Sequence, residues 1–296
     1  MRTVITILLV LFCKGRASCD TVYVASSSFT ATIQKFDSNG NGSIFASGLN
    51  DPRGLAFDSE GNLYAAEHGN GGIWKFDSAG HNLGVFASVG GLNGPTALAF
   101  DGTGNLYVSF VTEMGSGGIE KFDPYGNGSA FASFAWAPGG IAIDNSGNVF
   151  VSNFGHFVGP YADGFIEKFD ANGDGIVFVP NLNGPEALAF DSAGHLFASV
   201  INDGAVMRFD SNGNGSLFAS GITDSPGSLA FGAEDLYMSH SSGIAKFDMN
   251  GNESVFVSGV EGAIAVQVPE PGSLSFLVLL AAVHRGLVLG HKKDRR

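Results

Sequence analysis

Residues 52–64 read Pro52-Arg53-Gly54-Leu55-Ala56-Phe57-Asp58-Ser59-Glu60-Gly61-Asn62-Leu63-Tyr64. Two short apolar runs flank an Asp-x-x-Gly-Asn turn, which is the pattern of a β-hairpin. Its core, small-Leu/Ile-Ala-Phe/Ile-Asp, returns at 97–101, 140–144 and 187–191, with weaker copies at 228–232 and 263–266. A second motif, Lys/Arg-Phe-Asp, occurs six times, with its aromatic at Phe36, Phe76, Phe122, Phe169, Phe209 and Phe247. In the first full copy, 55–58 reads as strand a, 63–66 as strand b, 73–77 as strand c and 85–88 as strand d.

Four strands per 38 to 47 residues, six times over, predict an all-β fold: a six-bladed β-propeller with four antiparallel strands per blade. The ends of the repeat predict how it closes. Before the first Lys-Phe-Asp there is a strand b at 22–25 but no strand a; after the sixth come a strand d at 254–257 and a strand a at 263–268. The last blade is therefore expected to join N-terminal strands b, c and d to a C-terminal strand a, which leaves no open edge in the ring. Ala56, Ala99, Ala142, Ala189, Ala230 and Ala265 are expected to be small because six strands crowd the axis. Each Lys/Arg-Phe-Asp aromatic is expected to face a neighbouring blade.

Outside the repeat, the ends read as addresses. Met1-Arg2, an apolar run to Phe12 and small residues at Gly15, Ala17, Ser18 and Cys19 form a secretory signal peptide over 1–19, cleaved after Ala17 or Cys19. The propeller spans 20–268. The segment 269–296 carries Pro269-Glu270-Pro271, an apolar run at 274–283 interrupted after it by His284 and Arg285, and a basic end in Lys292, Lys293, Arg295 and Arg296. It resembles the PEP-CTERM sorting signal of bacterial exosortase substrates. That resemblance implies export to the cell surface, the outer envelope or the medium, handling by exosortase-type machinery and transient membrane contact through the tail.

The 296 residues carry a formal net charge of −13. The two ends are each +3, so the body is −19, with 7 basic and 26 acidic residues. Such a body excludes nucleic acid, which needs cations to displace its counterions, and favours cations or basic partners. Both cysteines, Cys13 and Cys19, precede the propeller, so the body holds neither a disulfide nor a Cys-based metal site. The domain is expected to be a monomer.

Two kinds of loop compete for function. The c–d turns resemble the start of a calcium loop, as in Asp170-Ala-Asn172-Gly-Asp174-Gly175, but the twelfth position is Asn181 where a bidentate Glu belongs. Asn-Gly with an Asx-turn Asp makes a hairpin unaided, and we adopt that reading. The Asn-x-Ser sequons at Asn41, Asn127, Asn214 and Asn252 read as by-products of the same turn composition. On the opposite face, around the channel mouth, Arg53, Glu67, His68, His156, Glu186 and His240 are the candidate ligand contacts. Arg53 is the one body cation outside the Lys/Arg-Phe-Asp repeat, and is either an anion contact or a partner for Glu186.

The unit 52–64 resembles the NHL-type and gluconolactonase-like propellers, over about 22–268. In the lactonase relatives, metal-binding Asn, Asp and Glu side chains lie at or near the residue after the Pro. Here those positions are Arg53, Thr96, Gly139, Glu186 and Gly227, with Glu261 near the sixth. Only Glu186 and Glu261 suit a hard cation, with Asp170, Asn172 and Asp174 as weaker ligands in the turn. No cofactor is expected, and calcium is the single ion these residues would suit. No catalytic residue is identified. The sequence favours a non-catalytic module binding an envelope or matrix protein or a glycan. The alternative is a metal-dependent lactonase-like hydrolase, or an enzyme like the streptogramin lyases.

Overall fold

The structure, a computed structural model, describes residues 20–26, 31–90, 94–112, 115–134, 138–154, 164–223 and 226–268. It is a ring of six four-stranded antiparallel sheets. Blade 1 runs Pro52–Phe57, Leu63–Glu67, Gly72–Phe76 and Asn82–Ser88, as strands a to d from axis to rim. Blades 2, 3, 4 and 5 repeat this over 94–134, 138–182, 185–220 and 229–258. Blade 6 is the predicted composite: Ala263–Gln267 pairs with Thr21–Ser26, which pairs with Thr32–Phe36, which pairs with Gly42–Ser47. Strand a of blade 1 starts three residues earlier than expected, and Asp58 and Asp77 fall outside the strands because their carboxylates are spent on the following turns.

That turn recurs at most a–b and c–d corners. Asp58 Oδ1 accepts the backbone N–H groups of Glu60 (3.0 Å) and Asn62 (2.8 Å), while Oδ2 accepts the Asn62 amide (2.8 Å). Asp37, Asp101, Asp123, Asp144 and Asp210 do the same. The sequon amides of Asn41, Asn127, Asn214 and Asn252 are donors within these turns. Blade 5 lacks the turn aspartate, since Gly232 follows Phe231. Asp20, 0% exposed, supplies the carboxylate from the neighbouring blade, accepting from Ala233 N–H at 3.1 Å and from the Tyr237 hydroxyl at 3.3 Å. A Cβ at position 232 would collide with that carboxylate, which accounts for the glycine.

Between blades the core is aromatic. Tyr64 meets Phe86 and Phe100 edge-on, and Tyr23, Phe150 and Phe197 build the same trio with strand-d and strand-a phenylalanines. The strand-d phenylalanines Phe45, Phe86, Phe131, Phe178, Phe218 and Phe256 each sit at a break in the c–d register. Each is a β-bulge on the outer strand, which re-aims the Phe inward and spoils the rim as a template for edge pairing. The Lys or Arg of each Lys/Arg-Phe-Asp lies over an aromatic ring, from 5.0 Å (Lys121 over Tyr107) to 5.9 Å (Arg208 over Phe197). As expected, the Phe beside it packs on the preceding blade: Phe247 on Phe197 and its neighbours, Phe76 on Tyr23 and Phe45.

The alanine expectation holds at Ala230 and Ala265, which line the channel, and needs correction at the other four. Ala56, Ala99, Ala142 and Ala189 do not line the channel; they face the next blade, packing in the clusters of Leu98, Ile141, Leu188 and Leu229. Close approach near the axis instead restricts the residue two places earlier. A Cβ on Gly54 would meet the Ala97 backbone at 3.1 Å, and one on Gly140 would meet Glu186 O at 2.6 Å.

Candidate functional site

The six strands a enclose an axial channel of about 900 Å³. Its mouth, at the start of those strands, is lined by Arg53, Thr96, Gly139, Glu186, Gly227 and Glu261, joined by His240 and Ser241 from blade 5. Arg53 on blade 1 and Glu186 on blade 4 come from opposite sides of the six-membered ring.

A buried serine at the end of strand b fixes these positions. Ser152 Oγ accepts the Gly140 N–H (2.8 Å) and donates to the Glu186 carbonyl oxygen. Ser199 Oγ likewise accepts from Ala187 N–H (2.9 Å) and donates to Gly227 O (3.0 Å), and Ser109 links Ala97 to Gly139. Each serine thus fastens the mouth residue of the next blade. Sequence reasoning missed this clasp, although its signal was present: the equivalent strand-b position is Ser at 109, 152, 199 and 239, and Ala at 25 and 66.

The Glu186 side chain is exposed to the channel water, has protein around it and has no hydrogen-bond partner among the described residues. Burial pushes its carboxyl above the usual carboxylate range. Arg53 does not pair with Glu186, as one reading of the sequence had it. Its Nε and Nη2 donate to Asp51 Oδ2 at 3.0 and 2.9 Å. Asp51, held at φ 52°, also faces His68 Nδ1 at 3.3 Å. Burial, then the nearby Arg53 charge, lowers the His68 pKa against the opposing pull of Asp51.

The predicted residues therefore separate. Arg53, Glu186, His240 and Glu261 share the channel lining; Glu67 and His68 are not part of it. Glu67, 2% exposed, accepts the Asn50 N–H (2.8 Å) and the Asn70 amide (2.6 Å), tying the loop from blade 6 to the b–c loop of blade 1. His68 lies against Gly94 of blade 2. Asp170, Asn172 and Asp174 occupy a c–d turn on the other face, where Asp170 Oδ1 accepts both backbone N–H groups at 2.9 and 3.0 Å. His156 lies outside the described residues. Among the described residues, no three His, Cys, Asp or Glu side chains form a group able to hold a metal ion.

A raised carboxyl pKa costs stability at neutral pH. The folded state binds the Glu186 proton more tightly than the unfolded chain does, so this group's stabilisation is present below the unfolded pKa and is lost as pH rises through the folded value. Glu186→Gln should raise the urea-unfolding free energy at pH 7, and with it the midpoint, by no more than about 1 kcal/mol because channel water screens the charge. The difference should vanish below about pH 4, where the wild-type group is protonated. Equal midpoints at pH 7 would show that the carboxylate is fully solvated.

A family model for the strictosidine synthase-like N-terminal region matches residues 176–209, from strand d of blade 3 to strand c of blade 4. A search of curated proteins finds no match. Solved structures match over most of the ring. A chain in the crystal structure of a nidogen/laminin complex superposes with a TM-score of 0.71 at 16% identity, covering 83% of this chain and 98% of that one. Virginiamycin B lyase from Staphylococcus aureus gives 0.62 at 14% identity over 82% and 84%. A gluconolactonase from Xanthomonas campestris gives 0.59 at 19% over 71% and 75%. At such identities the likeness is one of fold: this chain is a six-bladed propeller, of an architecture found in both binding proteins and enzymes.

Proposed function

We propose that this protein is an exported propeller, carried to the cell envelope by its terminal signals, whose channel mouth binds a basic group on an envelope or matrix macromolecule without transforming it. The observation that carries this reading is Glu186: a partially desolvated carboxylate with no hydrogen-bond partner among the described residues, at the mouth of an open channel. A carboxylate without a hydrogen-bond partner is available to a basic group that enters from solution. The strongly acidic body adds long-range attraction for basic partners. Arg53 is already neutralised by Asp51, so the mouth is biased toward cations.

The test is calorimetric titration of the purified protein with a hexalysine peptide and, separately, with hyaluronate as an acidic glycan. The peptide should bind, more weakly as salt rises, and Glu186→Gln should weaken it about tenfold, the equivalent of one charge-assisted hydrogen bond. Preference for hyaluronate would overturn the reading. The enzymatic alternative draws on Glu186, His240 and Glu261 lining one channel. Stoichiometric calcium in the purified protein, lost in Glu186→Ala, would favour that alternative.

A further inference from the structure

Both ends of the propeller leave from one face, opposite the channel mouth. Thr21 pairs with Gln267 at the end of the closing ladder. Asp20 binds the a–b turn of blade 5 at Ala233, and the Gln267 amide lies beside Gly61 in the a–b turn of blade 1. These are corners of the turn face, whereas Arg53 and Glu186 begin their strands at the other end. The C-terminal exit is also close to the axis, because Ala263–Gln267 is the innermost strand of its blade. Val268, the last described residue, is 44% exposed.

Lengths decide what a tether there allows. From Val268 to Leu274, where the apolar run begins, is six residues, a reach of roughly 20 Å at full extension. To turn the mouth toward a bilayer, this link would have to run from near the axis to the rim and then across the disc. Four strands about 4.8 Å apart put the rim roughly 15–20 Å out, and strands of five to six residues make the disc roughly 20 Å thick. The path of about 35–40 Å is nearly twice the reach.

We infer that the membrane-held protein keeps its turn face toward the bilayer and presents its channel mouth outward. This rests on the reading that the tail is an anchor. It narrows the ligand class of the mouth: a soluble macromolecule or one on a facing surface can reach it, and headgroups of the anchoring bilayer cannot.

The test uses the full chain, with Cys13→Ser and Cys19→Ser, inserted through its tail into phosphatidylcholine–phosphatidylglycerol vesicles. A donor dye is attached to Ser59→Cys, an exposed a–b turn position, or to Thr223→Cys, exposed in the loop leading to blade 5 on the mouth side. Energy transfer to an acceptor lipid should be several-fold stronger from position 59. Flotation with the vesicles but equal or reversed transfer overturns the orientation alone. Failure to float overturns the anchor reading and the orientation with it.

Discussion

A chain beginning at residue 50 should not fold, whereas one covering 20–268 should give a cooperatively unfolding, monomeric β-protein. The deletion removes Thr21–Ser26, Thr32–Phe36 and Gly42–Ser47, three of the four strands of blade 6, and leaves Ala263–Gln267 with no partner strand. It also opens two interfaces. Phe76 of blade 1 loses Tyr23, Ile33 and Phe45, while Tyr237 and Ile244 of blade 5 lose Val22, Val24 and Phe36. Each large buried side chain contributes roughly 2–3 kcal/mol, so losing even half of these contacts is comparable to the whole of a typical domain stability of about 5–15 kcal/mol. Circular dichroism and light scattering check this; a soluble, folded 50–268 product would sink the closure.

The second large effect is expected at Asp20. Asp20→Ala should lower stability by about 3 kcal/mol, because it strips the acceptor from the Ala233 N–H and the Tyr237 hydroxyl and opens a void beside Gly232. Asp20→Asn keeps one oxygen acceptor and should recover part of the loss. Gly232→Asp in the Asp20→Ala background would restore a turn aspartate within blade 5, as in blades 1 to 4, and should also recover part of it. Urea unfolding followed by tryptophan fluorescence distinguishes these variants. If Asp20→Ala unfolds like wild type, the carboxylate is not a latch.

Much of this was legible along the chain because its causes are local. A hairpin such as 52–64 is specified by alternating strand residues and by an Asp whose carboxylate caps its own turn four residues on. Six repeats of that local code set the blade count, and a strand b without a strand a at the N-terminus set the closure. The mouth position after the proline could be counted from the repeat, which is how Arg53, Glu186 and Glu261 were found. The reading went astray where a residue's role depends on its spatial neighbours. Glu67 and His68 look like mouth residues from the loop they follow, yet both turn to contacts with adjoining loops and blades.

The architecture, the turn chemistry and the acidic character of the body thus follow from short-range pattern and composition. The folded ring decides that Asp51 takes Arg53, that Asp20 completes a turn more than 200 residues away, that Ala56, Ala99, Ala142 and Ala189 face blades and not the axis, and that both ends leave opposite the mouth. Those facts depend on which strands become neighbours when the ring closes, and no local pattern encodes the partner across an interface.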